Sequence, residues 1–251
     1  MFLLIEGREH MDNRKISIIS SIGYIALMAI AMYTSSEIFH YNYRNPEIIK
    51  VLIYFEIIMA IYSIFIYRKY FKGTSFKKIK ISYALIVFAI AITVAVIVYI
   101  VTGDFKGHSS ILITIVITTF LVGVSEELMF RGIVFSGIEE KNGTLNALIY
   151  SSLLFSLLHA VNVFGGLPFK SMIIQMILTF VYGILAGGIR VKSNNIFPFM
   201  IFHFLWDMMV FTNPIVKSHI DVLSAGMIIL ECILAVILFV SIFKNQRKYN
   251  M

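Results

Sequence analysis

The 251-residue chain is 59% hydrophobic and only 14% charged, with a mean hydropathy of +0.88, whereas soluble domains are about 45–50% apolar and about 25% charged. Apolar runs recur over the whole length, which excludes a soluble globular protein and leaves no room for a separate soluble domain. The net charge of +7 does not point to nucleic acid, because the basic residues cluster in short loops between apolar runs, the positive-inside pattern of membrane proteins.

In chain order, Met1-Phe2-Leu3-Leu4-Ile5 is apolar before any basic residue, the reverse of a cleavable signal peptide. Glu6-Gly7-Arg8-Glu9-His10 precedes Met11 and can be encoded by purine-rich codons, as a bacterial ribosome-binding site is, so Met11 is an alternative start to Met1. A span needs about 20 apolar residues to cross about 30 Å of hydrocarbon. Eight such runs are expected, at about 16–34, 47–67, 80–101, 109–138, 145–161, 171–189, 196–212 and 220–243. The fourth is too long to be only a crossing, since about 30 residues at 1.5 Å each make about 45 Å.

The fold class expected is therefore an all-α polytopic transmembrane bundle of about eight spans, with residues 1–251 forming a single membrane domain. Both termini are expected in the cytoplasm. On that reading the inner segments hold Arg8, Arg14 and Lys15, six basic residues between Arg68 and Lys80, Lys141, Arg190, Lys192, Lys244, Arg247 and Lys248. The outer segments hold only Arg44, Lys50, Lys106, Lys170 and Lys217. A seven-span reading would separate the two C-terminal basic clusters, so eight fits better.

The first three spans carry little chemistry. Glu56 in the second is read as a carboxylate facing the bundle and hydrogen-bonded to a Tyr or Ser. The Arg68–Lys80 loop is a solvated basic cluster suited to anionic lipid. Glu231 in the last span is a second isolated acid, and the single cysteine, Cys232, is a packing residue.

Chemistry concentrates elsewhere. Ser125-Glu126-Glu127-Leu128-Met129-Phe130-Arg131 puts three charges into the apolar run from Ile111 to Ile138. An ionisable group at membrane depth costs about 2.5 kcal/mol or more and is a functional candidate by default. Glu127 and Arg131 are four apart with the acid first, the better order for an intrahelical pair. Glu126 is rotated about 100° away and free to point elsewhere. Phe155 and His159 on span five are also four apart, as are His203 and Asp207 on span seven. Counted from the inner span ends at 1.5 Å per residue, Glu126 lies about 17 Å in, His159 about 20 Å, His203 about 10 Å and Asp207 about 16 Å. Three spans place their strong polar groups within one or two turns of depth, so these groups should converge. Gly123, Gly132, Gly137, Gly183, Gly187 and Gly188 allow the helices to approach closely.

A buried carboxylate beside a neutral histidine can take a proton from water, and a second histidine with a carboxyl or amide can stabilise an oxyanion. That is acyl-bond hydrolysis by activated water. Gly-x-Ser-x-Gly and His-Glu-x-x-His are both absent. Glu126, His159 and His203 remain a plausible ligand set for a divalent metal such as zinc. A polar network that merely fixes helix packing, an ion-coupled transporter and a non-proteolytic scaffold regulating a partner protein are the alternatives.

Glu126-Glu127-x-x-x-Arg131, Phe155-x-x-x-His159 and His203-x-x-x-Asp207, in that order on separate spans, resemble the three motifs of the CPBP intramembrane proteases. This is the CAAX-protease and bacteriocin-processing (Abi) family, which includes the eukaryotic CAAX prenyl endopeptidase. The resemblance covers about residues 110–212, including Tyr182-Gly183-Ile184-Leu185-Ala186-Gly187-Gly188 ahead of the third motif. It implies that Glu126 is the general base, that Glu127 pairs with Arg131 in support, and that His159 holds the water or a metal. His203 and Asp207 would form the oxyanion side. The implied activity is an endopeptidase acting near the cytoplasmic half of the membrane. A chain rich in Ile, Lys and Asn suggests an AT-rich bacterium and hence a bacterial plasma membrane. The expected partners are the lipid bilayer and a short membrane-associated peptide or protein substrate, as in peptide maturation, bacteriocin immunity or signalling-peptide processing, with no nucleic acid.

Overall fold

Backbone polar groups find no water in a bilayer, so a chain this apolar satisfies them within helices. The computed structural model describes residues 12–107 and 109–249. The alternative start at Met11 lies outside the described residues. The helices are α1 (Asn13–Tyr33), α2 (Ile49–Ile66), α3 (Tyr83–Thr102), α4 (Ser109–Glu127), α5 (Phe135–Ala160), α6 (Phe169–Ser193), α7 (Phe197–Val216) and α8 (Ile220–Tyr249). Among the described residues the β pairing is limited to an isolated bridge between Phe76 and Asn195.

Local chemistry sets several helix starts. The Asp12 carboxylate accepts from Arg14 N ahead of α1, Ser82 Oγ accepts from Leu85 N at the start of α3, and Asn195 Oδ1 accepts from Phe197 N ahead of α7. The hydrophobic pattern is that of a bilayer protein. Large apolar side chains such as Ile97, Val101, Ile229 and Val236 face outward, while Ser125, Glu127 and Arg131 are buried.

Among the described residues seven helical segments are long and apolar enough to cross a membrane, against the eight spans expected. The difference lies in the 56-residue segment Ser110–Gly165. It is broken at Gly143, whose φ of 79° and ψ of 167° are non-helical and suited to glycine. The two limbs fold back on each other. Phe130 and Phe155 would lie about 37 Å apart on a straight helix, yet their ring centroids are 5.4 Å apart.

Hydrogen bonds between loops define the two ends of the bundle. At one end Lys141 Nζ reaches Asp12, Asn13 reaches Glu140, Leu145 N donates to Gln246, and Lys80 N donates to Ser193 O. At the other, Tyr43 N donates to Gly165 O, Asp104 N to Val216 O, and His219 N to Thr102 Oγ1. The basic clusters thus gather at the first end and the sparse lysines at the second.

With the basic end in the cytoplasm, a Cys232→Ala protein carrying Arg44→Cys should react with a membrane-impermeant maleimide on intact cells. The same protein carrying Lys72→Cys should react only after permeabilisation. The reverse pattern would place both termini outside.

Candidate active site

The site is built around one carboxylate. Glu127, at the end of α4, has no solvent exposure, and its Oε1 accepts from Arg131 Nη1 at 3.0 Å and lies 3.0 Å from His203 Nδ1. Arg131 sits in a π-helical stretch, Leu128–Val134, that widens the helix directly after the paired acids. Its guanidinium lies over the Phe155 ring at 4.0 Å and the Tyr182 ring at 5.3 Å. One ionic contact therefore draws on α4, α5, α6 and α7.

Close backbone approach makes the contact possible. A Cβ on Gly123 would stand 2.7 Å from Met200 O and 2.9 Å from Phe204 N, so α4 and α7 touch there, one turn before Glu127 meets His203. At Gly183 the same atom would stand 2.7 Å from Ser152 Cβ, which presses α6 onto α5 and brings Tyr182 against Arg131.

Glu126 points the other way, as its rotation along the helix requires. It is 4% exposed, lines a cavity of about 290 Å³, and its Oε2 has no hydrogen-bond partner. His203 Nε2 is 3.7 Å from that oxygen and 3.4 Å from Asp207 Oδ2. His159 Nδ1 is 3.0 Å from the Phe155 carbonyl, which can only accept, so Nδ1 carries the proton and Nε2 is left as an acceptor. The Phe155 ring stands between the imidazoles, 4.9 Å from His159 and 5.9 Å from His203. Glu126, His159, His203 and Asp207 all line the one cavity, while Glu127 and Arg131 lie behind it.

Glu126, His159 and His203 share this cavity, but among the described residues no three His, Cys, Asp or Glu side chains are gathered as a metal-holding group. One ring nitrogen of His203 is taken by Glu127 and the other faces Glu126 and Asp207.

Other side chains join the site. Glu56 accepts from Ser125 Oγ at 3.3 Å, and Ser125 lies 2.7 Å from the Tyr24 hydroxyl, so the Tyr-or-Ser reading of this acid holds. Glu56 also lines the cavity, as do Glu231 from α8 and the linked amides of Asn162 and Gln175. Gln175 Nε2 donates to the Tyr43 hydroxyl, and burial pushes that phenol up to about 12, so it stays neutral. Only Glu56 and Glu231 carried a sequence signal, as isolated acids in apolar runs.

The cavity runs from the acids toward the second end of the bundle, where Tyr43 and Asn162 stand, rather than toward the basic end. The reason is the break at Gly143, which sets His159 two residues before the Val161–Gly165 turn at the second end.

Residues 108–209 match the family model described as type II CAAX prenyl endopeptidase Rce1-like. All six motif residues fall within the match, and Tyr43, Glu56 and Glu231 fall outside it. No curated protein matches the chain.

Replacing Arg131 by Ala leaves Glu127 buried without its cation, which for a buried pair costs about 3–5 kcal/mol. Unfolding in detergent should show a loss of that size, against less than about 0.5 kcal/mol for the exposed Lys106→Ala. Equal small losses would mean that the pair does not hold the site together.

Proposed function

We propose that the chain is an intramembrane endopeptidase of the CAAX-protease kind that hydrolyses a peptide bond with water activated by Glu126 and His159, a reading supported by the family model matched over residues 108–209. The observation that carries the reading is the division between the two adjacent acids. Glu127 lies behind the cavity with its Oε1 held by Arg131 and His203, whereas Glu126 lines the cavity wall and turns toward it an oxygen that has no hydrogen-bond partner in the protein. A structural carboxylate is normally paired, and an unpaired one at a cavity wall is placed to take a proton.

A water between Glu126 and His159 Nε2 gives a proton to the Glu126 carboxylate as its oxygen bonds to the peptide carbonyl carbon. The carbonyl oxygen becomes the oxyanion. His203 Nε2, 3.4 Å from Asp207 Oδ2 and 3.7 Å from Glu126 Oε2, is turned to the cavity and donates to the oxyanion. Collapse breaks the C–N bond, and the proton held by Glu126 passes to the leaving amine. Asp207 keeps the His203 ring turned toward the reacting carbon. The products are one new carboxylate and one new amine.

The substrate in this reading is a membrane-associated peptide or protein in a bacterial plasma membrane, of the kind handled in signalling-peptide maturation or bacteriocin immunity. It enters from the second end of the bundle, where the cavity reaches the loops. That route favours a segment already exposed on the face away from the basic clusters.

The test is cleavage of a peptide panel by protein reconstituted in lipid nanodiscs, read by mass spectrometry. Glu126→Gln should lower the rate at least about a hundredfold, the usual contribution of a general base. It should leave the unfolding midpoint close to wild type, because Oε2 has no partner to lose. Cleavage at the wild-type rate by Glu126→Gln would overturn the assignment.

A further inference from the structure

The cavity wall carries more acid than the proposed hydrolysis uses. Besides Glu126, it presents Glu56, Asp207 and Glu231, and no Lys or Arg lines it. Two of these acids are poorly satisfied within the protein. Glu56 is 1% exposed, and among the described residues only Ser125 hydrogen-bonds to its carboxylate. Glu231, on α8, has no hydrogen bond or ion pair among the described residues, although it sits in an apolar helix where an uncompensated carboxylate is costly. The unpaired Oε2 of Glu126, buried and facing the same space, is an independent sign that the cavity is shaped for a donor brought from outside. Arg131 is turned away behind Phe155 and is held by Glu127.

We infer that Glu231 determines specificity by binding the cationic side chain of a lysine or arginine lying near the scissile bond of the peptide. This rests on the peptidase reading and narrows its substrate class. A cation leaving water needs a counter-charge, and Glu231 supplies one in the cavity that the catalytic groups line. An anionic side chain beside Glu231 would face a wall that presents four acids, with His159 and His203 as its basic groups. The cavity therefore selects a bond beside a basic residue. The rest of the wall, with Met28, Met32, Trp206 and Phe211, suits the apolar residues of a membrane-associated peptide. Glu231, on α8, lies outside the residues that match the family model.

The experiment uses the full chain in nanodiscs of neutral lipid, with fluorescent peptides that share one apolar core and differ at a single position as Lys, Gln or Glu. Equilibrium binding is measured on the wild type and on Glu126→Gln, and kcat/KM on the wild type. Lys should be preferred over Gln at least about tenfold in both readouts, and Glu should be the weakest. Glu231→Gln should bring the Lys-to-Gln ratio to near one, and Glu231→Lys should favour the Glu peptide. Equal binding of the three peptides, or an unchanged ratio in Glu231→Gln, would overturn the inference. Charge-selective binding that depends on Glu231, with no cleavage by the wild type, would support this inference and overturn the peptidase reading instead.

Discussion

A single desolvated carboxylate, that of Glu127, is the contact on which the arrangement of the site depends. It has no exposure to solvent and is held by a guanidinium on its own helix and an imidazole on another. In a low-dielectric interior a charge left unpaired is costly, so separating α7 from α4 would carry a penalty far above that of losing ordinary packing. The Phe155 and Tyr182 rings add α5 and α6 by covering the guanidinium. Gly123 and Gly183 supply the close backbone approach without which these side chains would not reach one another.

The two adjacent acids show how a helix separates structure from chemistry. Neighbouring residues diverge by about 100° around the axis, so Glu127 turns into the protein and Glu126 into the cavity. The π-helical stretch that follows, Leu128–Val134, keeps Arg131 within 3.0 Å of Glu127. His203 bridges the two functions, with one nitrogen on the structural acid and the other beside the cavity acids. A positioning contact is thus one imidazole ring away from the reacting groups.

Much of this was legible in the chain itself, because the rules involved are local. Hydropathy located the helices, and the four-residue spacing of Glu127 and Arg131 announced their pair. The placement of six charged or imidazole groups on three spans announced their convergence. What could not be read was whatever depends on long-range packing. The contact between Glu127 and His203 joins residues 76 apart, and nothing in either segment names its partner. The turn at Gly143 hid within one apolar stretch and decided where His159 stands and which way the cavity opens. Gln175, Asn162 and Tyr43 are ordinary polar residues near loops, and their meeting at one wall follows from three helices packing together.

The central claim, that Glu127 joins α4 to α7 through His203, is tested most directly by a double-mutant cycle on unfolding in lipid or detergent. The four proteins are wild type, Glu127→Gln, His203→Ala and the double variant. Groups in one buried network show coupling of about 0.5–3 kcal/mol, so the double variant should be less destabilised than the two single losses added together. Simple additivity, within about 0.3 kcal/mol, would contradict the account.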